Sequence, residues 1–475
     1  MTERRAWGVV LALTALALAG RAALLREPMR FDEAVSWAYY VGRSWGTIVG
    51  TYQHPNNHVL YSLLAKASAA WAGYPPWALR LPALVAGVAI VPLTWAVGRR
   101  FADDTTARIA AALSVGSTPL ILYAINARGY SLVVALFLVA LLAADRLRAQ
   151  ETTGRWLTFV ACGALGLYTI PIMLYPFGVA ATWLALSART LAAGARRRFL
   201  VRVGAAFAAA LAVAGLLYLP ILRSAGVGAL LGNKFVAPSP WPVFFAEAPG
   251  NFAATLGRWA SPLPWWATLI MLALALVGMR RPVRADRPSL ALATLLWCSA
   301  VLLVTHRSPF VRVWLFLLPL YLLAVARGIT WCASRFGGRA FVQSAATSVA
   351  LACAMLALAL GTHAVPRNDE TGVFPEAERI TAEMAPRLRP SDRVLAPIPA
   401  IGPLLYYFPR VGADTALLTV PLERADHAWL VLDRRAGQDL AWAVRQGMVD
   451  PREFPNPRLV ATYPDAELWE LPRAR

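Results

Sequence analysis

The sequence predicts an α-helical polytopic membrane protein of about eleven spans, followed by a small soluble α/β domain. Three observations carry that expectation. The chain of 475 residues is 58% hydrophobic and 15% charged, with a mean hydropathy of +0.52. A soluble domain is nearer half apolar and a quarter charged. The apolar residues fall in long runs separated by short basic ones, and beyond His363 the composition turns polar and proline-punctuated.

Taking ~20 residues per span, helices are expected near 7–25, 78–98, 106–122, 128–145, 156–169, 171–187, 199–220, 264–280, 288–304, 311–326 and 341–362. The first reads as a span rather than a cleaved leader, because it lacks a small-residue cleavage pattern and further spans follow. Between spans lie Arg4-Arg5, Arg99-Arg100, Arg146 with Arg148, Arg196 to Arg198, Arg280-Arg281 with Arg284, and Arg327 with Arg335 and Arg339. These runs occupy every second boundary, which places the N-terminus inside and the C-terminal tail outside. The net charge of +20 is therefore a topology signal, not a nucleic-acid patch. Cys162, Cys298, Cys332 and Cys353 are widely spaced and form neither a metal motif nor a disulfide framework.

Residues 1–362 read as the membrane domain, with two outer segments too long for turns. One covers 26–77 and includes an amphipathic stretch from Asn57 to Trp71; the other, 221–263, is rich in Gly, Pro and Trp and suits a lid at the interface. Residues 363–475 read as an extracytoplasmic α/β domain. Its elements are a helix over 376–388, strands over 393–397 and 428–432, a helix over 440–446, and a hairpin over 459–471. The tail carries Asp392, Asp414 and Asp433 but no phosphate loop or nucleophile motif, so it reads as accessory or acceptor-binding.

Asp32 and Glu33 stand where the chain should leave the bilayer after its first span, and carboxylates there are costly to desolvate. The same topology gathers His54, Asn56, Asn57, His58, Arg80, Asn126, Arg128, Tyr130, Lys234, Arg258, His306, Arg307 and Arg312 at the outer boundary. An acid beside cations suits a reaction on a phosphorylated lipid. The carboxylate takes a proton from an acceptor hydroxyl, and arginines hold the departing phosphate in bidentate bonds. Each residue also has a plainer role. His54 and His58 are four apart, but Pro55 breaks the helix that would pair them on a metal. Asn56 and Asn57 suit a turn or cap, the arginines suit snorkelling to headgroups, and Tyr130 suits an interfacial aromatic.

The order of motifs is more specific. Phe31-Asp32-Glu33-Ala34, then His54-Pro55-Asn56-Asn57-His58-Val59-Leu60-Tyr61, then Ala78-Leu79-Arg80-Leu81-Pro82, resembles the bacterial family 39-type glycosyltransferases. These are relatives of protein O-mannosyltransferases and of the lipid A aminoarabinose transferase. Leu122 to Tyr130 resembles the motif that follows their third span, so the motif-bearing likeness covers about residues 25–150. The resemblance implies the integral-membrane GT-C fold and a polyprenyl-phosphate-linked sugar as donor. It gives Asp32 the place of the catalytic acid with Glu33 beside it, and matches Arg80 and Arg128 to family arginines. Two departures, His54-Pro55-Asn56 for His-Pro-Pro and Asn126-Ala127 for Gln-Glu or Gln-Ala, bear on sugar or acceptor choice.

The expectation is thus a hexosyl- or pentosyltransferase of the cell membrane, with its site on the extracytoplasmic face. Asp32 and Glu33 would be catalytic. Arg80, Arg128, Arg307 and Arg312 would bind the donor phosphate, and His54, Asn57, His58 and Tyr130 the substrate. Its partners would be membrane lipids, the polyprenyl-phosphate sugar, and a cell-envelope glycan, lipid or protein as acceptor, with no nucleic acid. No cofactor is implied, and a divalent metal is left open. The rivals are a transporter or lipid flippase, disfavoured by the one-sided polar cluster, and a non-catalytic envelope scaffold, for which Asp32→Asn would be silent.

Overall fold

The computed structural model describes residues 3–232, 236–280, 287–419, 425 and 427–474; Lys234, Arg281 and Arg284 lie outside the described residues. The chain forms two compact units. One comprises Met1–Leu25 with Trp45–Val365, the other Arg26–Ser44 with Pro366–Arg475.

Every apolar segment expected to span is helical in the first unit. Among the described residues six helices are long and apolar enough to cross a membrane: Glu3–Ala22, Pro76–Phe101, Tyr130–Ala149, Pro171–Thr190, Ala193–Leu217 and Val311–Arg335. The number rises to eight if each of two bent pairs is one span, against the eleven expected. The difference has a physical cause. Residues 106–122 are not one rod but Asp104–Gly116 and Thr118–Ala124, bent by 61°. Thr153–Thr169, Leu290–Thr305 and Ala345–Gly361 are helices of only 17, 16 and 17 residues. The expected loop over 221–263 is also largely helix, Leu219–Leu231 and Trp241–Ala260. The second of these meets Trp265–Met279 at 99° and leaves Trp241, Phe245 and Phe252 exposed.

A break inside a bundle leaves backbone carbonyls that water cannot reach, so another group must satisfy them. Arg21, fully buried in the first helix, does so at the 61° bend. It donates to the carbonyls of Ser114 (3.3 Å) and Val115 (3.1 Å), and to Ala17 in its own helix (3.2 Å). We expect Arg21→Met to lower the thermal midpoint in detergent markedly, because each buried carbonyl left unsatisfied costs roughly 1–3 kcal/mol. An unchanged midpoint would mean that the bend holds without the arginine. At the other end of the bundle Asp145 is buried against Arg287 (3.1 Å), Arg100 (3.8 Å) and Arg148 (3.8 Å). Those contacts tie the ends of three segments together.

The second unit carries a four-stranded sheet: β1 (Asp392–Leu395), β2 (His427–Asp433), β3 (Arg458–Thr462) and β4 (Ala466–Pro472). Its order is β1-β2-β4-β3, parallel between β1 and β2 and antiparallel elsewhere. Ala428, Leu430 and Leu432 alternate onto one face of β2 and bury against Phe454 and Leu471. The crossover from β1 to β2 contains a helix, Ile401–Tyr407, that the sequence reading did not include. The tail's aspartates serve the backbone: Asp392 accepts from Trp429 Nε1 (3.1 Å) and the Arg389 amide (3.0 Å). Asp414 and Asp433 cap the short helical turns that follow them.

The junction of the two units at Val365 lies close to the boundary expected at residue 362. Arg26–Ser44, read from sequence as part of the membrane domain's first outer loop, packs with the tail. Backbone bonds from Phe31 to the Gly372 carbonyl (2.8 Å) and from Asp32 to the Thr371 carbonyl (3.3 Å) hold it there.

Candidate active site

Asp32 and Glu33 occupy the first turn of the Phe31–Ser36 helix, where carboxylates suit the helix N-terminus. Their surroundings differ. Glu33 is 1% exposed, and its Oε2 accepts the Arg30 N–H at 3.0 Å, closing a capping box. Arg30 in turn donates to the Asn368 carbonyl (2.7 Å) and Thr371 Oγ1 (3.1 Å). Glu33 is therefore an anchor of the turn that presents Asp32.

The tail supplies the mount for that turn. Gly372, at φ +71°, lies so close beneath Phe31 that a Cβ there would come within 2.5 Å of the Phe31 Cβ. A Cβ on Gly402 would stand 3.0 Å from the Phe31 backbone. Only glycine at both positions allows the approach. Met29 N–H donates to Tyr407 Oη (3.3 Å), the Trp37 ring meets Tyr406 at 5.1 Å, and the Arg410 guanidinium lies 3.5 Å from the Tyr406 centroid. Burial pulls Arg410 below the usual arginine range, and the nearby Tyr406, Tyr407 and Glu378 oppose that shift.

In the first unit the chain turns sharply between Ala124 and the Tyr130–Ala149 helix, and this turn presents the cations. His58 Nδ1 accepts the Gly129 N–H at 2.9 Å, and His58 Nε2 lies 2.9 Å from an Arg128 terminal nitrogen. A Cβ on Gly129 would press on Thr169 and on His58 itself, so glycine keeps the amide within reach. Burial holds the His58 imidazole well below its usual pKa, helped by the charges of Arg128 and Arg312. The ring is therefore neutral. The ring thus ties the Gly129 amide and the Arg128 guanidinium together at one corner. A guanidinium fixed in this way carries the planar fork of N–H donors that suits an oxyanion.

Tyr130 completes this corner, with its ring 5.2 Å from His58 and 6.0 Å from the Arg128 guanidinium. Arg312 lies 4.5 Å from the Phe310 centroid while acting on His58. The structure thus gathers His58, Arg128, Tyr130 and Arg312. The remaining expected residues have other surroundings. Asn57 spends its amide within its loop, donating to the Ile48 (2.8 Å) and Thr51 (3.0 Å) carbonyls and accepting from Ser62 Oγ (3.1 Å). Fully buried Arg80 donates to the Leu25 carbonyl at 2.8 Å, where the chain leaves its first helix. Arg307 acts electrostatically on Tyr175, and half-buried His54 accepts the Asn57 N–H in a turn.

Sequence reasoning placed Asn126 at the outer boundary and in a motif departure without giving it a role, yet it is fully buried and, among the described residues, neither polar atom of its amide meets a protein partner. A buried amide left this way leaves room for a ligand or an ordered water to complete its hydrogen bonds. The Gly129 amide was also missed, because backbone donors carry no side-chain signal. Among the described residues no group of three or more His, Cys, Asp or Glu side chains is arranged to hold a metal ion.

No protein-family model and no curated protein matches the chain. The fold is nevertheless recognisable: apolar helices long enough to cross a membrane and a small four-stranded sheet, the elements of a GT-C fold. The solved structures it resembles include ArnT from Cupriavidus metallidurans in the apo state, with a TM-score of 0.62 at 12% identity over 98% of both chains. They also include the same ArnT bound to undecaprenyl phosphate, with a TM-score of 0.56 at 13% identity, again over 98% of both. At such identities the likeness is one of fold.

Proposed function

We propose that the protein is a glycosyltransferase that moves a hexose or pentose from a polyprenyl-phosphate donor to an acceptor hydroxyl at the outer face of the cell membrane. The observation that carries this reading is the Arg128 guanidinium fixed against His58, with the charge of Arg312 acting on the same ring, in a GT-C fold. The similar ArnT structure holds undecaprenyl phosphate, a ligand of the chemistry these donors suit. Asp32 takes the acceptor proton as the hydroxyl oxygen bonds to the anomeric carbon. The bond from that carbon to the phosphate oxygen breaks, and its electron pair leaves with the lipid phosphate. Arg128, held in place by His58, and Arg312 stabilise the charge that develops there. Glu33 fixes the turn carrying Asp32, Arg80 braces the chain before it, and Asn126 and Tyr130 contact the substrate.

The test uses purified protein in detergent, a panel of polyprenyl-phosphate sugars and an envelope extract as acceptor. Release of free polyprenyl phosphate together with a glycosylated acceptor is expected. Lipid movement across reconstituted vesicles with the sugar–phosphate bond intact would replace this reading with the flippase.

A further inference from the structure

A second polar site lies in the first unit, at the opposite end of the bundle from His58. The Pro76–Phe101 and Tyr130–Ala149 helices begin near the histidine corner, and at their far ends Arg100 pairs with Asp145. At 1.5 Å per residue, a helix of this length separates the two regions by roughly 30 Å. Just past Phe101 a cleft of about 470 Å³ opens between the Asp104–Val115 helix and the end of the Leu318–Arg335 helix. That volume falls within the range of ordinary small-ligand sites. Arg327 and Arg339 line it together with Thr105, Thr330, Ser334 and Trp331.

We propose that this cleft binds the headgroup of one anionic phospholipid. Two guanidinium groups offer planar forks to a phosphodiester; the Thr330 and Ser334 hydroxyls donate to the Arg327 (3.0 Å) and Trp331 (2.7 Å) carbonyls, which leaves their oxygens as acceptors for a headgroup hydroxyl. Asp103 also borders the cleft; its carboxylate caps a helix, accepting the Thr106 N–H (3.0 Å) and Oγ1 (2.7 Å), and its charge partly offsets that of Arg327, which makes Arg339 the principal cation for the headgroup. The surroundings select a lipid over a soluble phosphate. Phe336 and Phe341, 81% and 70% exposed, flank Arg339. Bare phenyl rings beside arginines suit the boundary where acyl chains meet headgroups, with the cations reaching the phosphate layer. The indole of Trp331 favours the same depth.

Native mass spectrometry of the full-length protein, titrated with phosphatidylglycerol, phosphatidylcholine or inorganic phosphate, tests the assignment. Phosphatidylglycerol is expected to be retained at least tenfold more tightly than phosphatidylcholine. Arg339→Gln, at an exposed position where folding should survive, should weaken that retention by about tenfold, the scale of one charge-assisted contact. It should leave phosphatidylcholine unaffected. Equal retention of the two lipids, or of phosphatidylglycerol by both proteins, would overturn the proposal. Inorganic phosphate displacing phosphatidylglycerol at equal concentration would overturn it too, by showing the site to be one for soluble anions.

Discussion

Replacing Asp32 with asparagine is expected to remove nearly all sugar transfer while the protein still folds. The amide is nearly isosteric but cannot take a proton, and a positioned general base contributes roughly 10²- to 10⁴-fold. The backbone contacts of Asp32 run from its N–H to Thr371 and from Ser36 Oγ to its carbonyl (2.8 Å), so both survive the change. Glu33→Gln is the informative partner. A glutamine oxygen can still accept the Arg30 N–H and keep the capping box, so transfer and thermal midpoint should stay close to wild type. Turnover, measured as polyprenyl phosphate released per protein, separates the cases. Similar small losses in both variants would show that these carboxylates only shape the turn.

The second large effect is expected at Arg128. Lysine keeps the charge but loses the planar fork, so it cannot stand beside His58 Nε2 and hold a phosphate oxygen in the same plane. A charge-assisted contact contributes roughly 1.5–3 kcal/mol, so Arg128→Lys should cost tenfold or more. The loss should fall on kcat as well as on donor KM, because the phosphate gains charge as the sugar departs. Arg307→Lys serves as the comparison and should lose less, since the charge of Arg307 acts on Tyr175, whereas that of Arg312 acts on His58. Unchanged kinetics in Arg128→Lys would transfer the phosphate role to Arg312.

Much of this was legible in the sequence. Long apolar runs become helices because a buried backbone must satisfy its own hydrogen bonds. Period-two alternation and turn residues located the tail's strands within a residue or two, as with β1 at Asp392–Leu395 and β2 at His427–Asp433. The acidic pair and the arginines stood out because charges at a membrane boundary are costly and therefore rare. Local chemistry determined all of these.

The number of spans was less legible, since hydropathy sums over a window and is blind to a bend such as that near Gly116, where Arg21 replaces the missing backbone partners. Two features of the site were settled only by the tertiary structure. The two carboxylates look alike in sequence, yet it is Glu33 whose Oε2 accepts the Arg30 amide and closes a capping box. The turn bearing Asp32 rests on Gly372, Gly402 and Tyr407, more than three hundred residues further along the chain. No local pattern announces such a contact, because a glycine that admits a distant backbone resembles any other until the chain has folded against it.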